Sequence, residues 1–193
     1  GFGGVNAHLI VEEAPQPVSL LPNQVDAERQ WLLPFSAKTD AQLRVLVEQF
    51  LAWTTWPELA SMAYTLQVGR EAMPWRMAVV ANTPAGLRLR LQDYCQGNPH
   101  PEVFVAAASD SPLVASLFED AEGEAFLASL LATGKLHKLA RFWVAGAKVD
   151  WQLAYQQGTP ARAHLPGYPF AATSFWAVEQ AAWNRPLVPA EPA

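Results

Sequence analysis

The sequence has little cysteine, no block of basic residues and no long apolar run. Its one cysteine, Cys95, excludes an internal disulfide bond and fits a reducing compartment, so we expect a cytoplasmic protein. The apolar stretches are far shorter than a membrane-spanning helix requires. A net charge of -5 and a pI near 5.3 argue against nucleic acid or an anionic membrane surface as a partner.

The sequence also lacks the residue groups that an autonomous active site requires. Its four histidines, at positions 8, 100, 137 and 164, share no metal-ligand spacing with one another or with Cys95. Neighbouring carboxylates at Glu12–Glu13 and Glu119–Asp120 do not converge on one site, as an acid–base pair would. The nucleophile-elbow pattern Gly-x-Ser-x-Gly does not occur. We therefore predict no metal site, no directly bound cofactor and no catalytic residue.

The middle of the sequence predicts a small α+β unit. Apolar runs with strand-like patterns predict three strands, at Trp31–Ser36, Trp75–Asn82 and Val103–Ala107. Start and stop signals predict three helices, after Thr39, from Pro57 to Gly69, and from Thr83–Pro84 to Gly97. The order strand–helix–helix–strand–helix–strand indicates a three-stranded sheet with helices on one face. Pro34 places the first strand at an edge or a bulge.

The later part of the sequence predicts two more helices and an extended segment. Helices are expected at Glu124–Thr133 and Lys135–Ala145, after a mobile connection at 110–123, and a short turn or helix at Asp150–Tyr155. From residue 163 the prolines hold the chain extended. This strap carries apolar side chains, and it can be ordered only against a preformed groove. The predicted anchors are Leu165, Tyr168, Phe170 and Trp176.

The first fifteen residues read as a glycine turn that leads into a strand. Glycines at positions 1, 3 and 4 allow backbone conformations that a side chain forbids, and Leu9–Val11 is a short apolar run typical of a sheet. Because a strand needs neighbours, we expect this segment to be the back end of something larger.

These residues resemble a known family. The segment Gly-Phe-Gly-Gly-x-Asn-Ala-His at Gly1–His8, followed by an apolar strand and Glu-Glu-Ala-Pro, resembles the last strand of a modular polyketide ketosynthase, which has a thiolase-like fold. Val5 stands where the family often has Thr. The segments Trp31–Ser36, Ala63–Arg70 and Arg76–Val80 resemble the adaptor, or flanking subdomain, that follows such a ketosynthase.

The last part of the sequence extends this resemblance. The segments Lys138–Gly146, Val149–Trp151 and Leu165–Phe170 resemble the post-adaptor linker, which wraps back over the ketosynthase. Gly167 stands where the family usually has Thr. Only residues 108–134 separate the adaptor-like segments from the linker-like ones, too few for an acyltransferase domain. The arrangement is therefore similar to a trans-acyltransferase synthase. A helical lateral-contact motif that the family sometimes carries would fall near 111–134.

The resemblance implies five regions. They are the last ketosynthase strand (1–15), a linker (16–30), the flanking subdomain (31–162), the wrapping linker (163–176) and a tail toward the next domain (177–193). The implied fold class is α+β, with a small sheet packed against helices, a preceding thiolase-like strand and a following strap of aromatic and proline residues. In the family the glycine–phenylalanine loop lines the acyl pocket, so Phe2 and Gly3 are implied pocket-wall residues.

The implied function is structural. A flanking subdomain braces the condensing domain, which performs decarboxylative Claisen condensation on acyl chains bound to a carrier protein. The catalytic Cys and His residues of the family have no counterpart in this sequence, so the chain is expected to have no activity of its own. The phosphopantetheine cofactor would arrive on a partner acyl carrier protein. The other implied partner is the ketosynthase body, in a parent that forms a homodimer.

An alternative function is a docking module that recruits a separate acyltransferase or a carrier protein. Carrier proteins and their phosphopantetheine arms are anionic, so clustered cations would attract them. The candidates for such a cluster are Arg70, Arg76, Lys135, Lys138 and Arg141. The same residues are also compatible with an ordinary solvated surface. A third alternative, an independent enzyme, is supported by no set of residues in the sequence.

Overall fold

A computed structural model describes residues 4, 8–12, 29–108, 118 and 120–172. Within these residues it contains one antiparallel sheet of three strands in the order β1–β2–β3, which are Trp31–Ala37, Trp75–Ala81 and Val103–Ala107. The five α-helices of the same residues are α1 (Asp40–Ala52), α2 (Leu59–Gly69), α3 (Pro84–Gln96), α4 (Ala121–Ala132) and α5 (Leu136–Val144). A 3₁₀ helix follows at Trp151–Tyr155. The predicted α+β class and element order are confirmed.

Local capping residues fix the ends of α1 and α3 where the sequence predicted them. Thr39 is the N-cap of α1, and its Oγ1 accepts a hydrogen bond from the Gln42 amide at 3.2 Å. Thr83 caps α3 in the same way, with Pro84 in the first turn. Gly97 ends α3 at φ 75°, a left-handed conformation that glycine adopts at little cost.

Helix α2 differs from the prediction at both ends. Its first residue is Leu59 and its N-cap is Glu58, so Pro57 lies before the helix instead of in its first turn. The Trp56 side chain packs against the core and donates from Nε1 to the Trp53 carbonyl at 2.9 Å, which holds this connection outside the helix. At the other end Gly69 is still helical, and the chain turns away at an extended Arg70 without a left-handed residue.

Helices cover both faces of the sheet, so the prediction of helices on one face was wrong. On one face α1, α2 and α3 bury a core around Phe35, Met77 and Val79. On the other face Leu32 and Ala78 pack against α5. The physical reason lies in β2, whose side chains from the second residue onward are all buried. A strand buried on both faces reads as a continuous apolar run, and Met77–Ala81 is one.

A buried arginine joins the second helical layer to the sheet. Arg76 of β2 is 8% exposed, and its Nη1 donates to the carbonyls of Trp143 at 2.7 Å and Ala147 at 3.1 Å. Its Nε donates to the Met73 carbonyl at 3.0 Å. Burial lowers the pKa of this guanidinium, which nevertheless stays charged at any physiological pH. Its charge is therefore held by carbonyl oxygens at the end of α5, just beyond it and just before β2.

A second buried polar group connects α2 with β1 and the 3₁₀ helix. Gln67 donates from Nε2 to the Leu32 carbonyl at 2.7 Å and accepts from the Tyr155 hydroxyl at 2.6 Å. Burial raises the pKa of Tyr155, which keeps its hydroxyl a neutral donor. Because Gln67 and Tyr155 satisfy each other, neither is an unpaired polar group in the core.

Leu9, Ile10 and Val11 are 81% or more exposed and pair with no strand of the described residues, so their place in a ketosynthase sheet stays a prediction. One further prediction needs correction. Helix α4 begins at Ala121, within the connection predicted to be mobile, because Asp120 Oδ1 accepts from the Gly123 amide at 2.7 Å and caps the helix. No helix in the described ranges has the length and apolar character needed to cross a membrane.

We predict that Arg76→Met destabilises the fold by about 3 kcal/mol, because it removes three hydrogen bonds of a charged donor, two of them buried. The matched control is Lys138→Met, which removes an exposed cation from α5 and should change the unfolding free energy by less than about 0.5 kcal/mol. Urea unfolding followed by circular dichroism measures both variants. Equal stability of the two variants would show that Arg76 does not hold the layers together.

Candidate functional site

The strap, Ala163–Phe170, lies across the N-terminal end of α1 and along α2. It has no regular secondary structure, as predicted. At its start the Ala163 amide donates to Thr65 Oγ1 at 2.8 Å. Farther on, Arg70 donates from Nη2 to the Pro166 carbonyl at 3.0 Å. The first half of the strap is therefore attached to the residues at and just beyond the end of α2.

Tyr168 attaches the second half of the strap to the start of α1. Its hydroxyl accepts from the Lys38 amide at 2.9 Å and donates to Gln42 Oε1 at 3.1 Å. Gln42 also donates from Nε2 to the Pro169 carbonyl at 3.3 Å. The residue that completes the N-terminal cap of α1 thus also holds the strap, and a change at Gln42 would affect both.

The strap covers a small open cavity. The cavity measures about 250 Å³ and lies between the strap, β1 and α2. Its apolar lining comes from Phe35, Phe50, Leu66 and the strap's own Pro166 and Tyr168. Leu165 and Tyr168 are partly buried against the same core cluster. The groove that the strap requires is therefore part of this α+β unit.

Phe170 does not anchor the strap to this surface. Its side chain is 84% exposed and contacts the Tyr168 ring edge-on, with the ring centroids 5.0 Å apart. The reason is a tight turn, in which the Phe170 amide donates to the Tyr168 carbonyl at 3.0 Å and the ring is directed away from the core. The other expected anchor, Trp176, and the pocket-wall candidates Phe2 and Gly3 lie outside the described residues.

The structure separates the five cationic docking candidates into three groups. Arg76 is buried, so it is not available to a partner, because its guanidinium is used inside the fold. Arg70 is exposed but is engaged with the strap. Lys138 and Arg141 of α5 are exposed, as is Lys135, the N-cap residue before it, and the three-residue spacing places them on one side of the helix.

Sequence reasoning missed two residues that hold the strap. Gln42 carried a signal, because its spacing from Thr39 predicts a cap, but nothing in a local pattern indicates its contact with Pro169. Thr65 carried no signal in the sequence. In the structure its Oγ1 also donates within α2 to the Ser61 carbonyl at 2.7 Å. Such contacts join residues about 100 positions apart and depend on the tertiary fold.

The described residues contain no group of three His, Cys, Asp or Glu side chains that would hold a metal ion. Burial raises the pKa of the Cys95 thiol, which favours the unreactive protonated form. The polar groups along the strap are instead paired with backbone amides and carbonyls. The surface formed by α1 and α2 therefore binds an extended segment of the same chain.

Comparison with known proteins identifies a family for part of this chain. Residues 34–98 match the family described as the RhiE-like, KS-MAT linker domain. The chain contains a ketosynthase linker domain. Polyketide synthase PksL of Bacillus subtilis is 37% identical over 180 residues, and PksN of the same organism is 34% identical over 182 residues. Each alignment covers 91% of this chain, but only 4% and 3% of those synthases.

Solved ketosynthase structures contain the same fold. The ketosynthase from module 6 of the Bacillus subtilis bacillaene synthase is 37% identical, with a TM-score of 0.70 over 76% of this chain and 27% of that one. The ketosynthase from module 1 of the Bacillus amyloliquefaciens bacillaene synthase is 32% identical, with a TM-score of 0.67 over 76% of this chain and 26% of that one. The linker domain is therefore part of a multidomain polyketide synthase.

We predict that Tyr168→Ala destabilises the chain by about 2–3 kcal/mol, because it removes a partly buried ring and two hydrogen bonds. Tyr168→Phe keeps the ring and should cost only about 1 kcal/mol. Phe170→Ala, a change on the same strap, should cost less than about 1 kcal/mol because the ring is exposed. Thermal unfolding measures all three. Equal losses for Tyr168→Ala and Phe170→Ala would contradict this assignment of the anchor.

Proposed function

We propose that this chain braces the condensing domain of a polyketide synthase and contributes no catalytic group of its own. The observation that carries the proposal is the attachment of the strap at both ends, through Thr65 and Arg70 beside α2 and through Lys38 and Gln42 at the start of α1. An extended segment held in place before it meets its partner loses less conformational entropy on docking. The linker domain then presents a fixed surface to the ketosynthase body.

The packing of helices on both faces of the sheet suits a spacer. Arg76 attaches α5 to the sheet, and Gln67 with Tyr155 attaches the 3₁₀ helix to α2 and β1. These polar contacts are directional, so they fix relative positions as well as contributing stability. A unit joined in this way keeps a constant distance between the condensing domain and the neighbouring domains of the synthase.

Exposed apolar residues indicate where the ketosynthase body would pack. Phe170 is 84% exposed, and Leu9, Ile10 and Val11 are 87%, 94% and 81% exposed. Large apolar side chains with this exposure favour burial by a partner, at about 25 cal/mol per Å² covered. In the proposed parent, Leu9–Val11 is the last strand of the ketosynthase, Phe2 and Gly3 line its acyl pocket, and Phe170 packs against its body.

The proposed parent receives its extender units from a separate acyltransferase. Residues 108–134 join β3 to α5 and include α4, which leaves too little chain for an acyltransferase domain. The ketosynthase of such a parent would perform decarboxylative Claisen condensation, with the growing chain carried on the phosphopantetheine arm of an acyl carrier protein. This chain would position the condensing enzyme, in a homodimeric parent, without touching the reacting atoms.

A docking module remains the second candidate function. The observation that favours it is the exposed group of Lys135, Lys138 and Arg141 on one side of α5, in a chain whose net charge is -5. In this alternative an anionic carrier protein or a separate acyltransferase binds the linker domain directly. Saturable binding of a carrier protein to this chain without a ketosynthase would favour docking, whereas the bracing function requires none.

The bracing function predicts that Phe170 matters only beside a ketosynthase. In a polypeptide that carries the ketosynthase body upstream of this chain, Phe170→Ala should lower the melting temperature by about 2–4 °C for each kcal/mol of packing lost. The same change in this chain alone should lower it by clearly less, since the ring is already exposed.

The matched control is Leu89→Ala, which truncates an exposed apolar residue of α3 that the proposal does not place at the ketosynthase. It should have the same small effect in both polypeptides. A Phe170→Ala effect of equal size with and without the ketosynthase would contradict the proposed contact.

A further inference from the structure

Three phenylalanine rings pack together between α4 and α5. The centroid of the Phe142 ring lies 4.9 Å from that of Phe118 and 5.7 Å from that of Phe126. Phe118 is 9% exposed and belongs to the core on the α5 side of the sheet, whereas Phe126 of α4 is 45% exposed. The rings therefore connect this core with the surface. There the exposed Phe126 and the half-buried Phe142 form an aromatic patch.

Two exposed lysines lie beside the aromatic patch. Lys138 precedes Phe142 by one turn of α5, so the two side chains lie on the same side of the helix. Lys135, the N-cap residue, lies a further three residues back and continues this row. Among the described residues the one ion pair joins His137 and Glu102 at 2.6 Å, so neither lysine takes part in it. Both charges are therefore available to a partner.

One acidic residue borders the patch from the other end. Glu122 precedes Phe126 by one turn of α4. Because only three residues connect α4 to α5, the two helices run in roughly opposite directions, which places Glu122 and the lysines at opposite ends of the patch. The contact of Phe126 with Phe142, at equal distances along the chain from this connection, agrees with that direction. A partner segment therefore fits best with its carboxylates over the lysines.

The conformation of such a segment follows from the surface that it would cover. The patch belongs to two helices, whose backbone N–H and C=O groups are bonded within each helix. A partner segment therefore meets side chains there but no backbone groups to pair with. An extended segment would bury unpaired backbone groups, at a cost of about 1–3 kcal/mol each. A helix satisfies these groups itself, so the geometry favours an amphipathic helix as the occupant.

We propose that the aromatic patch binds an acidic amphipathic helix of a partner polypeptide. An apolar side chain of that helix covers Phe126 and Phe142, and carboxylates one turn away pair with Lys138 and Lys135. The aromatic anchor provides most of the affinity, and the charges provide the selectivity and the orientation.

Arg141 has a lesser role at this surface. Its guanidinium lies over the Phe104 ring of β3, 5.7 Å from the centroid, and so on the side of α5 that faces the sheet edge. It attracts an acidic partner without contacting it. The proposal rests on the docking alternative, because it names the anchor and the chemistry of the partner for that function. It does not depend on the bracing function.

Two labelled peptides of about 15 residues, long enough to form a helix, test the proposal on the full chain. Both carry Leu along one face and Ala elsewhere. One has Glu on both sides of the Leu stripe, and its matched control has Lys at the same positions. In fluorescence anisotropy the Glu peptide should bind saturably and the Lys peptide at least tenfold more weakly. Equal binding of both peptides, or no binding of either, would overturn the proposal.

Paired variants test the position of binding. Phe126→Ala removes the anchor and Lys138→Glu reverses a charge, so each should weaken binding of the Glu peptide at least tenfold. The matched controls are Leu89→Ala, an exposed apolar residue of α3, and Lys38→Glu, an exposed cation beside β1, which should leave binding unchanged. Circular dichroism checks that each variant is folded, and Lys138→Glu decides the outcome if Phe126→Ala is not. A control that weakens binding as much as its counterpart would overturn the proposal.

Two further outcomes distinguish this proposal from its neighbours. Carrier-protein binding that survives both Phe126→Ala and Lys138→Glu would overturn the aromatic patch as the docking site and leave the docking function in place. Concentration-dependent dimerisation that Phe126→Ala abolishes would also overturn it, because the occupant would then be a second copy of this chain. None of these measurements requires a ketosynthase, whereas the Phe170→Ala test of bracing does, so either proposal can fail without the other.

Discussion

The buried guanidinium of Arg76 is the interaction on which the attachment of the second helical layer to the sheet depends. It extends from the central strand to carbonyl oxygens at the end of α5, and a cation in a core is tolerated only when its donors are satisfied. The same contacts fix the start of the turn that leads to Trp151 and the 3₁₀ helix. Arg76, in the central strand, therefore helps to set where the chain lies as it continues from Ala147 toward the strap.

The strap on the surface also depends on residues that stabilise the rest of the fold. Its contacts use groups that already have a role in the fold, since Gln42 completes the cap of α1 and Thr65 bonds within α2. Docking the strap therefore requires correctly formed helix ends as well as the groove that Leu165 and Tyr168 cover. The interior and the surface of the linker domain therefore become ordered together.

Local signals in the sequence predicted most of the elements. Thr39, Thr83 and Gly97 each act through neighbours within four residues, so the ends of α1 and α3 could be derived from them. The second helical layer could not, because the contact of Arg76 with Trp143 joins residues 67 positions apart, and a buried arginine cannot be distinguished from a surface one by type. The direction of the Phe170 ring could not be derived either, since it follows from a turn at Tyr168 that no local pattern predicted.

The most direct test of the account is amide hydrogen exchange of this chain without a ketosynthase. The amides of Lys38 and Ala163 lie outside the helices and strands, and their hydrogen bonds are to Tyr168 Oη and Thr65 Oγ1 across the strap. If the strap is a fixed part of the linker domain, both amides should exchange at least tenfold more slowly than in an unstructured peptide. Exchange at the unstructured rate at both amides would show that the strap docks only when the ketosynthase is present, and would contradict the account.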